Sequence, residues 1–356
     1  MKKPLHILFR QRVREIFYSI ASFFRIKIEK ETQIDKKEEI QKILIIRPNY
    51  RIGNIIFLTP LINEIYKELP NAQIDIIVGM KLAGDILKEM PNVQNVYAIP
   101  RRLLRQPLAL YRFIKDIRSQ NYDLAINITA GSVSSEIVTS LVNAKYKASF
   151  EHQKSFISLT HIVKREGLYT HAGLKSLELM KLFGNDLPKD NLKLDLKLKE
   201  DEKIKAKNDF ILLVKERATN PYTISLFRNA RFDKKIEDSW WKEWHKELLV
   251  LDSSIVIIDI LSPDITQKLN ENVLEYANKN LRILGAFFAT CDLYVSADTG
   301  PLHLAGASGA TSMAFFNKTS KEKFGTLGEE NLTLDINTLT PKDVALQTYK
   351  KLQEIR

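Results

Sequence analysis

Short apolar runs alternate with helical patterns along most of this chain, and that alternation limits the possible folds more than any other feature. Strand-like runs occupy residues 43–47, 73–78, 96–99, 123–128, 146–150, 222–227, 254–260, 293–297 and 312–316. Helical spacing of apolar residues fills the intervals, at residues 55–69, 82–88, 108–120, 134–142, 173–183, 239–250, 267–278, 285–290 and 302–308. Strands joined by helices pair in parallel, so the sequence predicts an α/β fold.

A polar segment at residues 184–208 separates two such halves, although residues 192–198 within it alternate like a strand at an exposed sheet edge. At 356 residues the chain is long enough for about two domains with their own cores. We therefore predict one domain over residues 41–190, a second over residues 205–340, and a C-terminal helix at residues 341–356.

Residues 1–40 form an extension ahead of the first strand, in which residues 5–28 mix apolar side chains with arginine and lysine. Such a segment either lies in an anionic membrane interface or packs as a helix on the first domain. No apolar run reaches the ~20 residues of a membrane-spanning helix, and no signal-peptide pattern follows the initial lysines. We expect a cytoplasmic protein, peripheral on the inner face of the cytoplasmic membrane.

The net charge of +11 favours polyanionic partners. The basic residues are spread along the chain and no nucleic-acid-binding motif is present, so we expect acidic lipids or phosphorylated glycolipids and no nucleic acid. Residues 101–105 are the best local candidate for such contact, or else a solvated loop. The single cysteine, Cys291, excludes an internal disulfide and reads as a small buried residue.

A candidate anion site follows the apolar run at residues 293–297, where Asp298, Thr299 and Gly300 precede a helical pattern. Pro301 suits the first helical turn, and a glycine lets backbone approach a ligand closely. The first N–H groups of such a helix would face the carboxyl edge of the sheet, where ligands of open α/β sheets bind. The alternative is an ordinary Asp or Thr N-cap.

A second loop of this kind joins the first strand to the helix at residues 55–69, and it contains Arg47, Arg51, Gly53 and Asn54. It lacks both the three-glycine dinucleotide fingerprint and the Gly-Lys-Ser/Thr ending of a P-loop. One strand, loop and helix unit in each half is best explained by two facing domains with a ligand between them.

Together these motifs resemble glycosyltransferase family 9, the heptosyltransferase-like enzymes of lipopolysaccharide-core and related glycan synthesis. The family's opening motif is a basic residue, Gly-Asp and Thr-Pro, and the matching residues here are Arg47, Gly53, Asn54, Thr59 and Pro60. Its later Asp-Thr-Gly-x-x-His-x-Ala motif is similar to Asp298, Thr299, Gly300, His303 and Ala305. A lysine-containing loop before a Trp resembles residues 229–235 and Trp240 or Trp241, and the likeness covers roughly residues 42–320.

The resemblance implies a GT-B architecture, with two Rossmann-like domains whose parallel sheets face a central cleft. It implies inverting sugar transfer without metal or other cofactor. The donor is a nucleotide sugar on the second domain, with ADP-heptose as the expected one, and the acceptor on the first is a lipopolysaccharide or another glycolipid or polysaccharide. The C-terminal helix of such transferases often crosses back to the first domain. A catalytically silent nucleotide-sugar-binding protein and a sugar-nucleotide epimerase of the same fold are the alternatives.

By the same resemblance, the Thr299 and Gly300 amides hold the donor diphosphate with Lys234 or Lys235, and Asp298 accepts hydrogen bonds from the donor sugar. The nucleotide base would lie near Leu284 and Gly285. His303 either contacts the phosphates or packs the helix, and the two lysines are otherwise solvated loop charges. On the acceptor side the resemblance implies Arg47, Arg51 and Gly53.

Asn54 departs from the family, because the residue at this place is normally an aspartate that acts as the general base. A carboxamide cannot accept a proton near neutral pH, which leaves three accounts open. Asn54 orients the acceptor while Asp298 or Glu151 takes the proton; the donor phosphate assists; or the chain binds without turnover.

Two other clusters carry less chemistry. Residues 240–245, with three Trp, have the spacing of a helix that buries Trp on one face, which we favour over sugar stacking. The histidines at positions 152, 161 and 171 lack the spacing of a closed metal site, and no serine elbow is present.

Overall fold

The computed structural model describes residues 31–100, 106–153, 155, 157–217, 220–262 and 268–355. Within them the chain forms two six-stranded parallel sheets, one in each half. The predicted contacts of residues 5–28 and 101–105 with lipid lie outside the described residues.

The first sheet has the order β3-β2-β1-β4-β5-β6. Its strands are β1 Lys42–Arg47, β2 Gln73–Val78, β3 Val93–Ala98, β4 Tyr122–Asn127, β5 Ala144–Phe150 and β6 His161–Val163. The helices of this half are α1 Ile52–Ile56, α2 Thr59–Glu68, α3 Lys81–Leu87, α4 Pro107–Ser119 and α5 Val133–Leu141, with a 3₁₀ helix at Lys175–Phe183. Residues 43–46 of β1 are fully buried because helices cover both faces of the sheet, which is why this strand reads as an unbroken apolar run.

A helix, α6 Glu200–Val214, precedes the second sheet, which has the order β12-β11-β10-β7-β8-β9. Its strands are β7 Thr223–Phe227, β8 Val256–Ile260, β9 Leu274–Tyr276, β10 Leu293–Ala297, β11 Ser312–Phe316 and β12 Leu332–Asp335. Its helices are α7 Asp238–Leu251, α8 Leu281–Thr290, α9 Gly300–Ala307, α10 Lys321–Phe324 and α11 Pro341–Ile355, with a 3₁₀ turn at Phe232–Lys234. The α/β class predicted from the alternating pattern is therefore confirmed.

Several predicted elements are wrong. The helix predicted at residues 55–69 is two helices, α1 ending at Ile56 and α2 beginning at Thr59. Pro60 has no N–H with which to continue the hydrogen bonds of α1, so it lies in the first turn of a new helix. The helix predicted at residues 267–278 contains the strand β9, whose pairing with β8 overrides the local pattern. Residues 192–198 are not a strand: Leu196 is buried and its N–H donates to the Ala307 carbonyl at 2.8 Å, so the alternation reflects packing on α9.

The C-terminal helix α11 packs on α7 in the second half instead of crossing back to the first. Its buried side chains Val344 and Leu352 belong to the second core, and Trp244 Nε1 lies 3.3 Å from Thr348 Oγ1, which it donates to. The apolar face of α11 is therefore buried against α7.

One buried arginine links the two halves. Arg282 of α8 is 1% exposed and donates to both carboxylate oxygens of Glu202, at 2.6 and 2.8 Å. It also donates to the carbonyls of Ile86 in α3, at 3.1 Å, and of Leu196 and Lys197, at 3.0 and 3.1 Å. A single side chain thus joins a helix of each half to the segment that connects them.

Candidate functional site

Two helices begin at the carboxyl ends of central strands, one in each sheet. In the first half the loop after β1 is shaped by Asn49, whose Oδ1 accepts hydrogen bonds from the Arg51 N–H at 2.9 Å and from Asn54 Nδ2 at 3.1 Å. The helix α1 then starts at Ile52. In the second half α9 starts at Gly300, directly after β10 and two loop residues. Both starts lie where open α/β sheets bind ligands.

The first turns of α1 and α9 are in direct contact, with a glycine on each side. A Cβ atom added to Gly53 would lie 2.7 Å from Cδ2 of His303. A Cβ atom added to Gly300 would lie 3.3 Å from the Cβ of Ile52. The structure therefore brings the two loops predicted from sequence together, because the absence of two side chains lets the backbones approach.

Gly53→Ala is expected to lower the free energy of unfolding by about 1–3 kcal/mol, since the added methyl meets a ring that is already packed on its other face. Gly306→Ala in α9 is the control, because a Cβ there has no neighbour within 4 Å. A helix-interior Gly→Ala change gains up to about 1 kcal/mol. Urea unfolding of the two variants measures the difference. Equal midpoints would mean that the α1–α9 contact is looser than described.

Asp298 lies at the end of β10 and is 7% exposed. Its Oδ2 accepts hydrogen bonds from Lys234 Nζ at 2.6 Å and from Thr319 Oγ1 at 2.6 Å. Lys234 ends the 3₁₀ turn after β7, and Thr319 follows β11, so three neighbouring strands of the second sheet contribute. Thr319 was not predicted from sequence, although it lies just beyond a strand at the same sheet edge as Asp298.

Thr299 is the N-cap of α9, because its Oγ1 accepts a hydrogen bond from the Leu302 N–H at 3.3 Å. The ordinary capping interpretation is therefore correct for this side chain. Pro301 has no N–H, and the first N–H groups of a helix have no partner within it. The amides of Thr299 and Gly300 are thus the donors that this turn can offer to an anion.

His303 is 7% exposed and packs against Phe57 of the first half, with ring centroids 4.5 Å apart. A second buried histidine, His171, lies 6.5 Å from it between centroids, and its Nε2 is 3.0 Å from the Gly325 carbonyl. Burial lowers the pKa of His171 to about 4. Burial, opposed by Asp298, likewise lowers the pKa of His303 to about 4. Both rings are neutral near pH 7. His303 packs between the halves, and its contact with the donor phosphates stays a prediction.

Because the pKa values of these two histidines are lowered, we expect the free energy of unfolding to fall in mild acid. Each native pKa lies near 4, against an ordinary value of 6.5, so between these pH values the unfolded chain binds more protons than the folded one. Stability is therefore full above about pH 6.5 and falls as the pH drops toward 4, by about 1.4 kcal/mol per pH unit for each group. Urea unfolding at several pH values measures the effect. The free energy of unfolding should fall less steeply with decreasing pH for His171→Asn than for the unchanged protein. Parallel slopes would exclude His171 as a source.

Leu284 and Gly285 lie in α8, just after its first turn. Leu284 is 7% exposed, and a Cβ on Gly285 would lie 2.1 Å from Ser308 Oγ, so this part of α8 is occupied by its crossing with the end of α9. The structure does not group these two residues with Asp298 and Lys234, and contact with a nucleotide base at this point stays a prediction.

The acceptor-side residues differ in their surroundings. Arg47 at the end of β1 is half-buried, and its Nε has no hydrogen-bond partner among the described residues. Burial lowers the pKa of Arg47 to about 10, so the guanidinium stays charged near neutral pH. Arg51 is exposed, Asn54 is half-buried, and Glu151 is exposed after β5. A half-buried cation with an unpaired donor is suited to an anionic ligand.

The remaining sequence features are structural. Trp241 and Trp244 are fully buried, and Trp241 stacks on Phe315 with centroids 5.5 Å apart, so this cluster is core packing. Cys291 is buried, which raises the pKa of its thiol to about 12. Among the described residues, no group of three or more His, Cys, Asp or Glu is placed to hold a metal ion, and none of the helices is long and apolar enough to cross a membrane.

Comparison with known proteins identifies a family that this chain matches. The sequence profile of glycosyltransferase family 9 (heptosyltransferase) matches residues 110–352. Lipopolysaccharide heptosyltransferase 3 of Escherichia coli is 30% identical over 123 residues, and the match spans 32% of this chain and 36% of the length of that relative.

Solved structures are similar over nearly the whole fold. A glycosyltransferase family 9 protein from Veillonella parvula has a TM-score of 0.71 at 14% identity, covering 88% of this chain and 97% of its own. ADP-heptose lipopolysaccharide heptosyltransferase II of Escherichia coli has a TM-score of 0.70 at 18% identity, covering 88% and 99%. Heptosyltransferase WaaC of Escherichia coli with ADP has a TM-score of 0.68 at 20% identity, covering 87% and 100%.

Proposed function

Since the chain belongs to glycosyltransferase family 9, we propose that it moves a sugar from a nucleotide-sugar donor on its second half to a glycan acceptor on its first. The observation that supports this most is the contact of α1 with α9, which sets the Asn54 loop opposite the Asp298 turn. ADP-heptose is the donor we favour, and a glycolipid of the lipopolysaccharide type, or another surface glycan, is the acceptor. Such an acceptor would place the enzyme on the inner face of the cytoplasmic membrane.

The donor diphosphate would lie at the start of α9. The Thr299 and Gly300 amides point from a helix N-terminus, which favours negative charge. Lys234 is one-third exposed and paired with Asp298, and its ammonium group would also contact the diphosphate. Stabilising the charge that develops on the leaving group is the main electrostatic task of such a site, and we assign that task to Lys234 and the two amides.

Transfer would occur by inverting displacement. The acceptor oxygen forms a bond to the anomeric carbon, the bond from that carbon to the diphosphate oxygen breaks, and its electron pair leaves with the nucleoside diphosphate. We assign the acceptor proton to the Asp298 carboxylate, whose Oδ2 is held by Lys234 and Thr319. Asn54 would orient the acceptor hydroxyl through its carboxamide.

Asn54→Asp tests this assignment. If Asp298 takes the proton, a second carboxylate at position 54 should change kcat by less than about tenfold, since the proton already has an acceptor. Initial rates at saturating donor and acceptor measure the effect. A rise of a hundredfold or more would instead show that the proton acceptor of this chain is missing.

The function itself is tested with the full-length protein, a set of labelled nucleotide sugars and glycolipid extract. A donor that binds the folded state raises the melting temperature, and label that moves into the glycolipid demonstrates transfer. Binding without transfer would support the silent nucleotide-sugar-binding alternative, for which the carboxamide of Asn54 is the specific observation. Conversion of the donor without any acceptor would support an epimerase.

A further inference from the structure

A large apolar groove lies between α4 and α5 on the first half, outside the site described above. Its volume is about 680 Å³, and its walls are mainly apolar. Leu110, Phe113 and Ile117 of α4 form one wall, and Ile137, Val138 and Leu141 of α5 form the other. This is the size range of grooves that bind small molecules.

The groove opens at the carboxyl edge of the first sheet. Pro48 and Tyr50, from the loop that precedes α1 and Asn54, line this end of the groove together with Ser132 and Ser134 at the start of α5. Tyr50 is held there by a hydrogen bond from its hydroxyl to the Ile99 carbonyl, at 3.1 Å. This end of the groove is therefore next to the loop that, under the proposed function, presents the acceptor.

The outer face of α4 suits a lipid surface. Leu108 is 76% exposed and Tyr111 is 65% exposed, which is unusual for two large apolar residues one turn apart. The exposed charges of the same helix are Arg112, Lys115, Asp116 and Arg118, three of them positive. Exposed apolar side chains among basic ones bind the interface of an anionic bilayer.

We propose that the α4–α5 groove binds a hydrocarbon chain of a lipid-linked acceptor while the sugar head of that acceptor reaches Asn54. The inference rests on the proposed function for the identity of the head group, but the binding of the chain does not. The charge of α4 argues for lipid over a protein partner, because the basic and apolar face beside the groove is complementary to an anionic bilayer. A hydrocarbon chain then enters the groove directly from that bilayer.

Binding is tested without catalysis. Phe113→Trp places a fluorophore on the groove wall, and vesicles of phosphatidylglycerol with brominated acyl chains quench tryptophan only at contact distance. The signal of the three native Trp is measured in the unchanged protein and subtracted. Val250→Trp on α7, where the native side chain is 74% exposed, is the control for nonspecific quenching. We expect quenching at position 113, none at position 250, and loss of quenching when Val138→Phe is added to fill the groove. Equal quenching at 113 and 250, or none at 113, would overturn the proposal.

Kinetics separate this proposal from the proposed function. In the otherwise unchanged protein, Val138→Phe should raise KM for the acylated acceptor roughly tenfold or more, because several methylenes lose their contacts. KM for the same glycan with its acyl chains removed should be equal in the two proteins. Equal KM values for both acceptors in the unchanged protein would refute the groove and leave sugar transfer intact. Quenching at position 113 without transfer of any sugar would refute the proposed function and leave the groove intact.

Discussion

Asp298→Asn is expected to lower kcat by about 10²–10⁴-fold, because a carboxamide of the same shape cannot take the acceptor proton. The substitution keeps an oxygen that can accept from Thr319, now 2.6 Å away, so the fold around β10 should persist. Lys234 loses its ionic partner at 2.6 Å, which frees it for the diphosphate. KM for the donor should therefore change much less than kcat, and steady-state kinetics at varied donor concentration measure both.

Asp233→Asn is the matched control for that experiment. Asp233 precedes Lys234 in the same 3₁₀ turn but is exposed, so its loss removes the same charge without touching the site. We expect kcat within a factor of two or three of the unchanged protein, because surface charges of this kind contribute little. If both variants lost activity equally, the effect would be one of local charge, and Asp298 would not be the proton acceptor.

Arg282→Met should lower the free energy of unfolding by about 3–5 kcal/mol, the usual cost of removing one partner of a buried ion pair. Glu202 would be left uncompensated, and the carbonyls of Ile86, Leu196 and Lys197 would lose their donor. Because these groups come from both halves and their connection, the loss should also loosen the contact of α1 with α9. Urea unfolding and a fall in specific activity at 37 °C measure the two effects.

Arg217→Met is the control for the arginine change, since Arg217 is exposed just after α6 and should alter stability by no more than about 0.5 kcal/mol. The double variant Arg282→Met with Glu202→Gln should recover part of the loss, because it removes the stranded charge. A double variant no more stable than Arg282→Met alone would show that the carbonyl contacts, and not the ion pair, account for the stabilisation.

Strand, loop and helix units were predictable from sequence because their strands are buried on both faces and so form continuous apolar runs. The runs at residues 73–78, 293–297 and 312–316 match β2, β10 and β11 at both ends. The prediction failed where tertiary partners decided the structure. Residues 274–276 form a strand only because β8 offers an edge, and residues 192–198 form no strand because they pack on α2 and α9.

The candidate site divides in the same way. Sequence motifs pointed to Asp298, Lys234, Gly53 and Gly300, which the structure brings to the facing loops of the two halves. Thr319 was missed as a site residue, since its hydrogen bond to Asp298 comes from the packing of separate strands. Arg282 was missed for the same reason.

The amino-acid sequence by itself determined the α/β class, the strand, loop and helix unit in each half and the family resemblance, because each of these depends on residues close together in the chain. Only the tertiary structure decided that α1 and α9 meet through Gly53 and Gly300, that Lys234 and Thr319 share one oxygen of Asp298, and that α4 and α5 leave a groove between them. Those features arise from packing between segments far apart in sequence, and local pattern carries no information about which distant surfaces will fit together.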